Sequence, residues 1–565
     1  MPETRDRLAL IALLIISIGV TDRSRASQDA GGGDWPQWRG PRRSGIASPG
    51  PKLLERWPEE GPKLLWESEK FPGLAKGGYS NNSIVGGCGS VSVVGERAYY
   101  FAHCQFKTGN VSVTTGMLER WGWGEGVTEE LSNKVREARS KRPVSEAEQE
   151  AYLKNFLAAL DPSEAKAHAD FVARHLKGDA LGKGAGVNQL LSWKLLGQLA
   201  AVRDKPFGSV QELAREAQVS LNPHAEGARI IDKVDATGER IADLIFCLDA
   251  KTGKQLWRTE FPGGQTDGQY HFPASGTPAV ADGKVYVAGS AGTYCVAAED
   301  GKELWKAATN FTNSSPLVLQ GLVVIGYKNG LVAYDAQTGA VRWKQEQVRN
   351  GFGSATPWEQ GGNLVLIVGT YPEGRRYTAV AGVNARDGSV LWQCDQGVFD
   401  AYTSPAIDGN LAVLFNKGNI AAIRLGLDQG ARAWVSKERY DERGGSVVVH
   451  DGYVYSLGGG YRTSGAHCHD LKTGETKWIE EMQKHETGSP ILADGKLIAF
   501  APDVGSEAKE KPRICIMYRA TPEKYEELGR LSGKAFNPYS SPSIAAGRLY
   551  LRCKDTVACY DLRAP

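Results

Sequence analysis

A ten-residue pattern that recurs without gaps constrains this chain more than any other feature. "LDAKTGKQLW" (248–257) is followed by "VAAEDGKELW" (296–305), "YDAQTGAVRW" (334–343), "VNARDGSVLW" (383–392) and "HDLKTGETKW" (469–478), with "RLGLDQGARAW" (424–434) as a looser copy. The closing tryptophans, Trp257, Trp305, Trp343, Trp392, Trp434 and Trp478, are spaced 48, 38, 49, 42 and 44 residues apart. A repeat of that length with strand-like content predicts a β-propeller in which each repeat is one four-stranded blade. An aspartate side chain closes the turn by accepting nearby backbone N–H groups, and glycine supplies the positive φ of a tight bend. The tryptophan lies on the strand that follows, where a large flat ring can wedge between adjacent sheets.

The rest of each repeat agrees. "SGTPAVADGKVYVAG" (275–289), "NSSPLVLQGLVVIG" (313–326), "YTSPAIDGNLAVLF" (402–415) and "TGSPILADGKLIAF" (487–500) each read as strand, turn and apolar strand. Each blade then runs A, B, C and D, with the tryptophan on D. "MYRATPEKYEELGRL" (517–531) holds the place of a C–D turn without its glycine and tryptophan, and "VACYDL" (557–562) ends before its D strand. "GPKLLWESE" (61–69) carries that missing strand with Trp66, so the two ends share one blade and close the ring. Eight blades are expected, seven being the alternative count. A stretch of helical periodicity interrupts blade 1. "VSEAEQEAYLKNFLAAL" (144–160), "PSEAKAHADFVARHL" (162–176), "VNQLLSWKLLGQLAAV" (187–202) and "SVQELAREA" (209–217) predict four or five helices.

The motif Asp-x-x-Thr-Gly-x-x-x-Trp resembles the tryptophan-docking signature of the pyrroloquinoline-quinone (PQQ)-like repeat family. That family includes eight-bladed quinoprotein alcohol dehydrogenases and the outer-membrane assembly protein BamB. "DWPQWRGPRRSG" (34–45) is similar to a leader of exported members, in which Trp35 and Trp38 would pack on the propeller. The expected organisation is a signal peptide (1–26), a leader (27–60), an all-β propeller (61–104 and 241–565) and a helical insertion (105–240). The signal reading rests on charged "MPETRDR" followed by the thirteen apolar residues "LALIALLIISIGV" (8–20). The mature chain would then be periplasmic or secreted, without a membrane span. A net charge of +2 gives no basis for nucleic-acid binding.

The resemblance implies two kinds of function. One is a monomeric scaffold that binds a protein or peptide partner, with no catalytic or metal residues. The other is a PQQ-dependent oxidoreductase or small-ligand binder using the axial mouth, with calcium as the accompanying ion. The sequence contains no adjacent Cys-Cys pair, no Cys-x-x-Cys-His and no acidic set that matches a quinoprotein metal site. Candidate mouth residues are Tyr270, His271, Phe352, Asp400 and Tyr402, at the entries to first strands. Cys247, Cys295, Cys468 and Cys559 occupy one repeat position, where Ala333 and Gly382 stand in other blades, so that position reads as a small packing slot. Cys88–Cys104 and Cys553–Cys559 are candidate bridges if the compartment is oxidising. His467 and His469 share a strand face but lack a third ligand nearby. Trp121 and Trp123, read as solvent-facing, would permit carbohydrate binding.

Overall fold

The computed structural model describes residues 33–565 except 75–85, 108–110, 142–145, 177–190, 223–225, 227–238, 264–274, 291, 309–311, 313, 328–329, 350–352, 371–377, 399–402, 416–418, 439–444, 459–464, 483–487, 503–512, 533–535 and 538. The proposed signal segment (1–26) therefore lies outside the described residues.

Thirty-two strands form eight separate four-stranded antiparallel sheets, one per predicted blade. Blade 1 is Ser92–Val94, Arg97–Lys107, Glu239–Asp249 and Gln255–Pro262, paired in that order. Blades 2 to 7 each use four consecutive strands, within 279–307, 317–345, 356–398, 406–435, 448–481 and 491–531. Blade 8 joins Ser543–Ala545, Arg548–Arg552 and Val557–Asp561 to Lys63–Glu67, with Trp66 opposite Cys559. The ring is closed by the chain's two ends, as the split motif predicts.

The repeated turn has a second purpose that the sequence pattern conceals. Asp335 Oδ1 accepts from the amides of Gln337 and Thr338 at 3.0 and 2.9 Å and from the Thr338 hydroxyl at 3.0 Å. The Thr338 amide and hydroxyl hold this carboxyl below the usual aspartate range. The glycine that follows is the landing surface for the preceding blade's tryptophan. A Cβ on Gly253, Gly301, Gly339, Gly388, Gly430 or Gly474 would lie 2.3–2.6 Å from the ring of Trp66, Trp257, Trp305, Trp343, Trp392 or Trp434 respectively. Each indole Nε1, together with that of Trp478, donates to a carbonyl of the next blade's turn at 2.7–3.2 Å. Seven seams are riveted in this way.

The cysteine position packs against its own blade's indole. Cys247, Cys295, Cys468 and Cys559 sit opposite Trp257, Trp305, Trp478 and Trp66, and Gly382 sits opposite Trp392. A side chain larger than a thiol would collide with the ring. In blade 7 the sizes are exchanged, with Met517 opposite Gly529. The leader then supplies what blade 7 lacks. Trp57 packs where a Gly529 side chain would go, its amide donates to Leu528 O (2.9 Å), and the Leu54 amide takes the Leu562 carbonyl (2.7 Å).

No disulfide joins any of the nine cysteines. The candidate bridges Cys88–Cys104 and Cys553–Cys559 are not formed: Cys104 faces Ala242 across its ladder and Cys559 faces Tyr550. Between the second and third strands of blade 1, six helices are described: Thr115–Arg120, Glu129–Ser140, Glu146–Ala158, Pro162–Leu176, Trp193–Ala200 and Val210–Glu216. The first two escape the sequence reading because they are short or carry few apolar residues. Their two apolar clusters draw on residues 111–221 alone, so the insertion builds its own core. Trp121 is 5% exposed within one of them, and Trp123 packs partly buried against it under the Arg203 guanidinium, 5.0 Å away. These rings are core, which removes the basis for a carbohydrate platform.

Replacing Trp305 with alanine should cost about 3–5 kcal/mol, measured by urea unfolding, because both the ring and its burial are lost. Gly339→Ala should destabilise through the same contact. The double variant should cost clearly less than the sum of the two. Strict additivity would mean that the ring and the glycine are not one unit.

Candidate functional site

The first strands of the blades surround the axis, and a closed belt of hydroxyls binds their entries together. The Ser90 amide donates to Thr277 Oγ1, Thr277 to Ser315 Oγ, Ser315 to Ser354, Ser354 to Ser404, Ser404 to Ser446, Ser446 to Ser489, Ser489 to Ser541, and Ser541 back to Ser90, all at 2.7–3.0 Å. All eight residues are buried. Each bond crosses a seam, so every blade is tied to both neighbours at the axis. The sequence does signal the belt: five of its members, Thr277, Ser315, Ser404, Ser489 and Ser541, stand immediately before proline. Proline lacks an N–H, which lets the strand begin without leaving a donor unmet.

The leader crosses the opposite, A–B-turn face of the ring. Asp34 accepts from the Gly95 amide in the A–B turn of blade 1, and Asp494 in that of blade 7 accepts from Leu53. Trp35, 1% exposed, exchanges two backbone hydrogen bonds with Val93, and Gly45 and Ala47 pair with Leu492. From this strap two arginines enter the axial channel. Arg43, 0% exposed, donates to Ala355 O (2.9 Å), Ser315 O (3.0 Å) and Pro316 O. Arg39, 1% exposed, donates to Ser44 O (2.8 Å) and Val447 O, and stacks on Trp38 at 5.5 Å. Burial pulls both guanidiniums down to about 9, and Arg39's charge adds to the effect on Arg43, yet both remain cations at neutral pH. Of the two leader tryptophans expected to pack on the propeller, Trp35 does so, while half-buried Trp38 meets the Arg39 guanidinium of the leader itself.

The candidate mouth residues Tyr270, His271, Phe352, Asp400 and Tyr402 all lie outside the described residues. Among the described residues, no group of three His, Cys, Asp or Glu side chains could hold a metal ion. His467 and His469 are both fully buried, with ring centroids 6.4 Å apart. Thr476 Oγ1 lies 3.2 Å from His469 Nδ1, and desolvation pushes that imidazole down to about 4.

A buried polar cluster at the seam of blades 1 and 2 was not read from sequence. His103 Nδ1 lies 2.8 Å from Asp243 Oδ1, which also faces Ser290 Oγ at 2.9 Å. Asp243 Oδ2 accepts from the Ser290 amide (2.7 Å) and Tyr294 OH (2.8 Å). Ser290 approaches His103 at Nδ1, 3.2 Å away, the same nitrogen that faces the aspartate. A hydrolytic triad needs the serine on the other ring nitrogen, so this set joins blades and activates no nucleophile. Strand periodicity shows that His103 and Asp243 face one side; only register shows that they are opposite each other.

Eight radial sheets, seven of their seams riveted by indoles and all belted at the axis, make a β-propeller whose repeats are similar to the PQQ-like repeat. Residues 242–480 match the family described as outer membrane protein assembly factor BamB. The BamB of Burkholderia pseudomallei (strain K96243) is 26% identical over 311 residues, covering 51% of this chain and 74% of that protein. The BamB of Yersinia pestis is 23% identical over 319 residues, covering 46% and 77%. A polyvinylalcohol dehydrogenase of Sphingopyxis sp. (strain 113P3) is 30% identical over 186 residues, or 29% of this chain and 24% of that protein.

The His469 shift gives a pH dependence. Its folded pKa lies below the unfolded value, so the unfolded chain protonates first; stability is whole above about pH 6.5 and falls as pH drops towards 4. His469→Leu should remove up to ~1.4 kcal/mol per pH unit of that loss. Urea midpoints from pH 7 to 4.5 with the same slope in both proteins would contradict this.

Proposed function

We propose that the chain is an exported propeller scaffold that binds extended protein segments along its rim. The observation that carries this reading is the placement of its exposed apolar side chains. Among the described residues, the exposed large ones are Leu64, Leu256, Leu304, Val341, Leu391 and Val435. All six lie on outermost strands, one on each of blades 8, 1, 2, 3, 4 and 5 in unbroken succession. An outermost strand presents unpaired backbone groups, and an adjacent apolar side chain gives an added strand something to pack on. The assembly-factor relatives support a protein as the partner class. The charged start and apolar run support export to the compartment where such assembly occurs, and no described helix is long and apolar enough to cross a membrane.

The partial likeness to a polyvinylalcohol dehydrogenase favours a second reading, quinone-dependent oxidation at the axial mouth. The residues described near the axis fit it poorly. Two buried guanidiniums stand near the axis, and the described side chains there offer no carboxylate cluster. No catalytic step is derived through that cofactor.

Ten-residue peptides with alternating apolar and polar residues should bind the purified chain, and proline-substituted versions should not. Leu256→Ser, Leu304→Ser and Leu391→Ser together should weaken binding at least tenfold without moving the thermal midpoint. Equal binding by the triple variant would overturn the rim as the site. PQQ with calcium should leave the midpoint unchanged; a saturable rise would restore the oxidoreductase reading.

A further inference from the structure

The leader delivers two positive charges to the axis with no negative partner. Among the described residues no carboxylate pairs with Arg39 or Arg43; their hydrogen-bond acceptors are backbone carbonyls and, for Arg43 Nε, the Gln37 side-chain oxygen. Arg39 has two further donors, Nε and Nη1, that are buried and meet no acceptor. Buried donors without partners are costly, and buried charges without partners more so, so such an arrangement persists where something completes it. The belt lies one peptide away. Arg43 holds the carbonyls of Ser315 and Ala355, and Arg39 that of Val447, which are belt members or their immediate successors. Each belt hydroxyl already accepts an amide proton and keeps its own proton to donate. Positive charge, unmet N–H donors and spare O–H donors together define the complement of an anion with several acceptor oxygens.

We propose that the axial channel binds a small oxyanion, held by Arg39 and Arg43 beside the hydroxyl belt. The site is independent of the rim, since it lies at the opposite radial extreme of each blade. Its ligand is either a free inorganic oxyanion or a carboxylate group, and both present the same chemistry to a guanidinium.

The test titrates the full chain with potassium phosphate, sulfate or acetate, each against sodium chloride at matched ionic strength. Thermal midpoint and isothermal titration are the two readouts. The expected result is a saturable rise in midpoint beyond the chloride reference, with one anion bound per chain. Saturation by phosphate or sulfate identifies an inorganic ligand, and saturation by acetate alone identifies a carboxylate. Arg39→Gln should weaken binding at least tenfold. Should that variant fail to fold, Arg39→Lys keeps the charge, removes the extra donors and should weaken binding in the same direction. Midpoints that superimpose for all anions, or an affinity unchanged in a folded Arg39 variant, would overturn the proposal.

Discussion

The contact between an indole and the next blade's glycine is the interaction on which everything else depends. Blades of a propeller share no strand pairing, so the ladder bonds that hold each sheet do nothing to hold the ring. What joins neighbours must be side-chain packing, and a tryptophan supplies a large apolar face with one donor at its edge. Here the face lies on a glycine that no larger residue could replace, and the donor finds a turn carbonyl. Turn and rivet are therefore a single device repeated around the circle: the residue that lets one blade bend is the residue that receives its neighbour. That explains why aspartate, glycine and tryptophan recur as a set.

The seam without this device shows how strict the requirement is. Blade 7 has Gly529 where the indole belongs and Met517 where the thiol belongs, so the larger side chain stands on the other strand and the bridge to blade 8 is lost. The leader restores it with Trp57 over Gly529 and the Leu54 amide on the Leu562 carbonyl. The same leader crosses the A–B face and sends arginines into the channel. A leader expected from sequence only to pack on the propeller thus completes a seam and also reaches the axis. Rivets act near the C–D turns, while the belt of hydroxyls acts at the other end of the first strands, so adjacent blades are tied at two separated heights and resist both splaying and rotation.

Blade number, ring closure and strand order were legible because they follow from periodic features, and a repeat of this length leaves little architectural choice. The cysteine slot was legible for the same reason, since six parallel positions, Cys247, Cys295, Ala333, Gly382, Cys468 and Cys559, reveal what size the site tolerates. The hydroxyl belt was on the page as Thr277-Pro278, Ser315-Pro316 and their kin but stayed unread, because its meaning lies between repeats that are about forty residues apart. The His103–Asp243 pair required register across a connection of more than a hundred residues, which no local pattern supplies. Trp121 misled because a tryptophan in a helical segment of unknown partners looks the same whether it is core or surface. The mouth residues Tyr270, His271, Phe352, Asp400 and Tyr402 lie outside the described residues.

Where a ring repeats, function has to be sought in what the repeats do not share. The rim departs from eightfold sameness in having exposed apolar residues on six consecutive blades and none on blades 6 and 7 among the described residues. Blade 7 is also the blade whose outermost strand already meets the chain's own leader, through the Trp57 amide on Leu528 and the Arg56 guanidinium on the Glu527 carbonyl. The strand edge that the chain covers for itself is thus one of the two without an apolar invitation. An edge that is covered needs no adhesive residue, and an edge that carries one and is left open has a cost in solubility that only a visiting strand offsets. On the scaffold reading proposed above, the arc from blade 8 to blade 5 is the part of the ring that would receive an added strand.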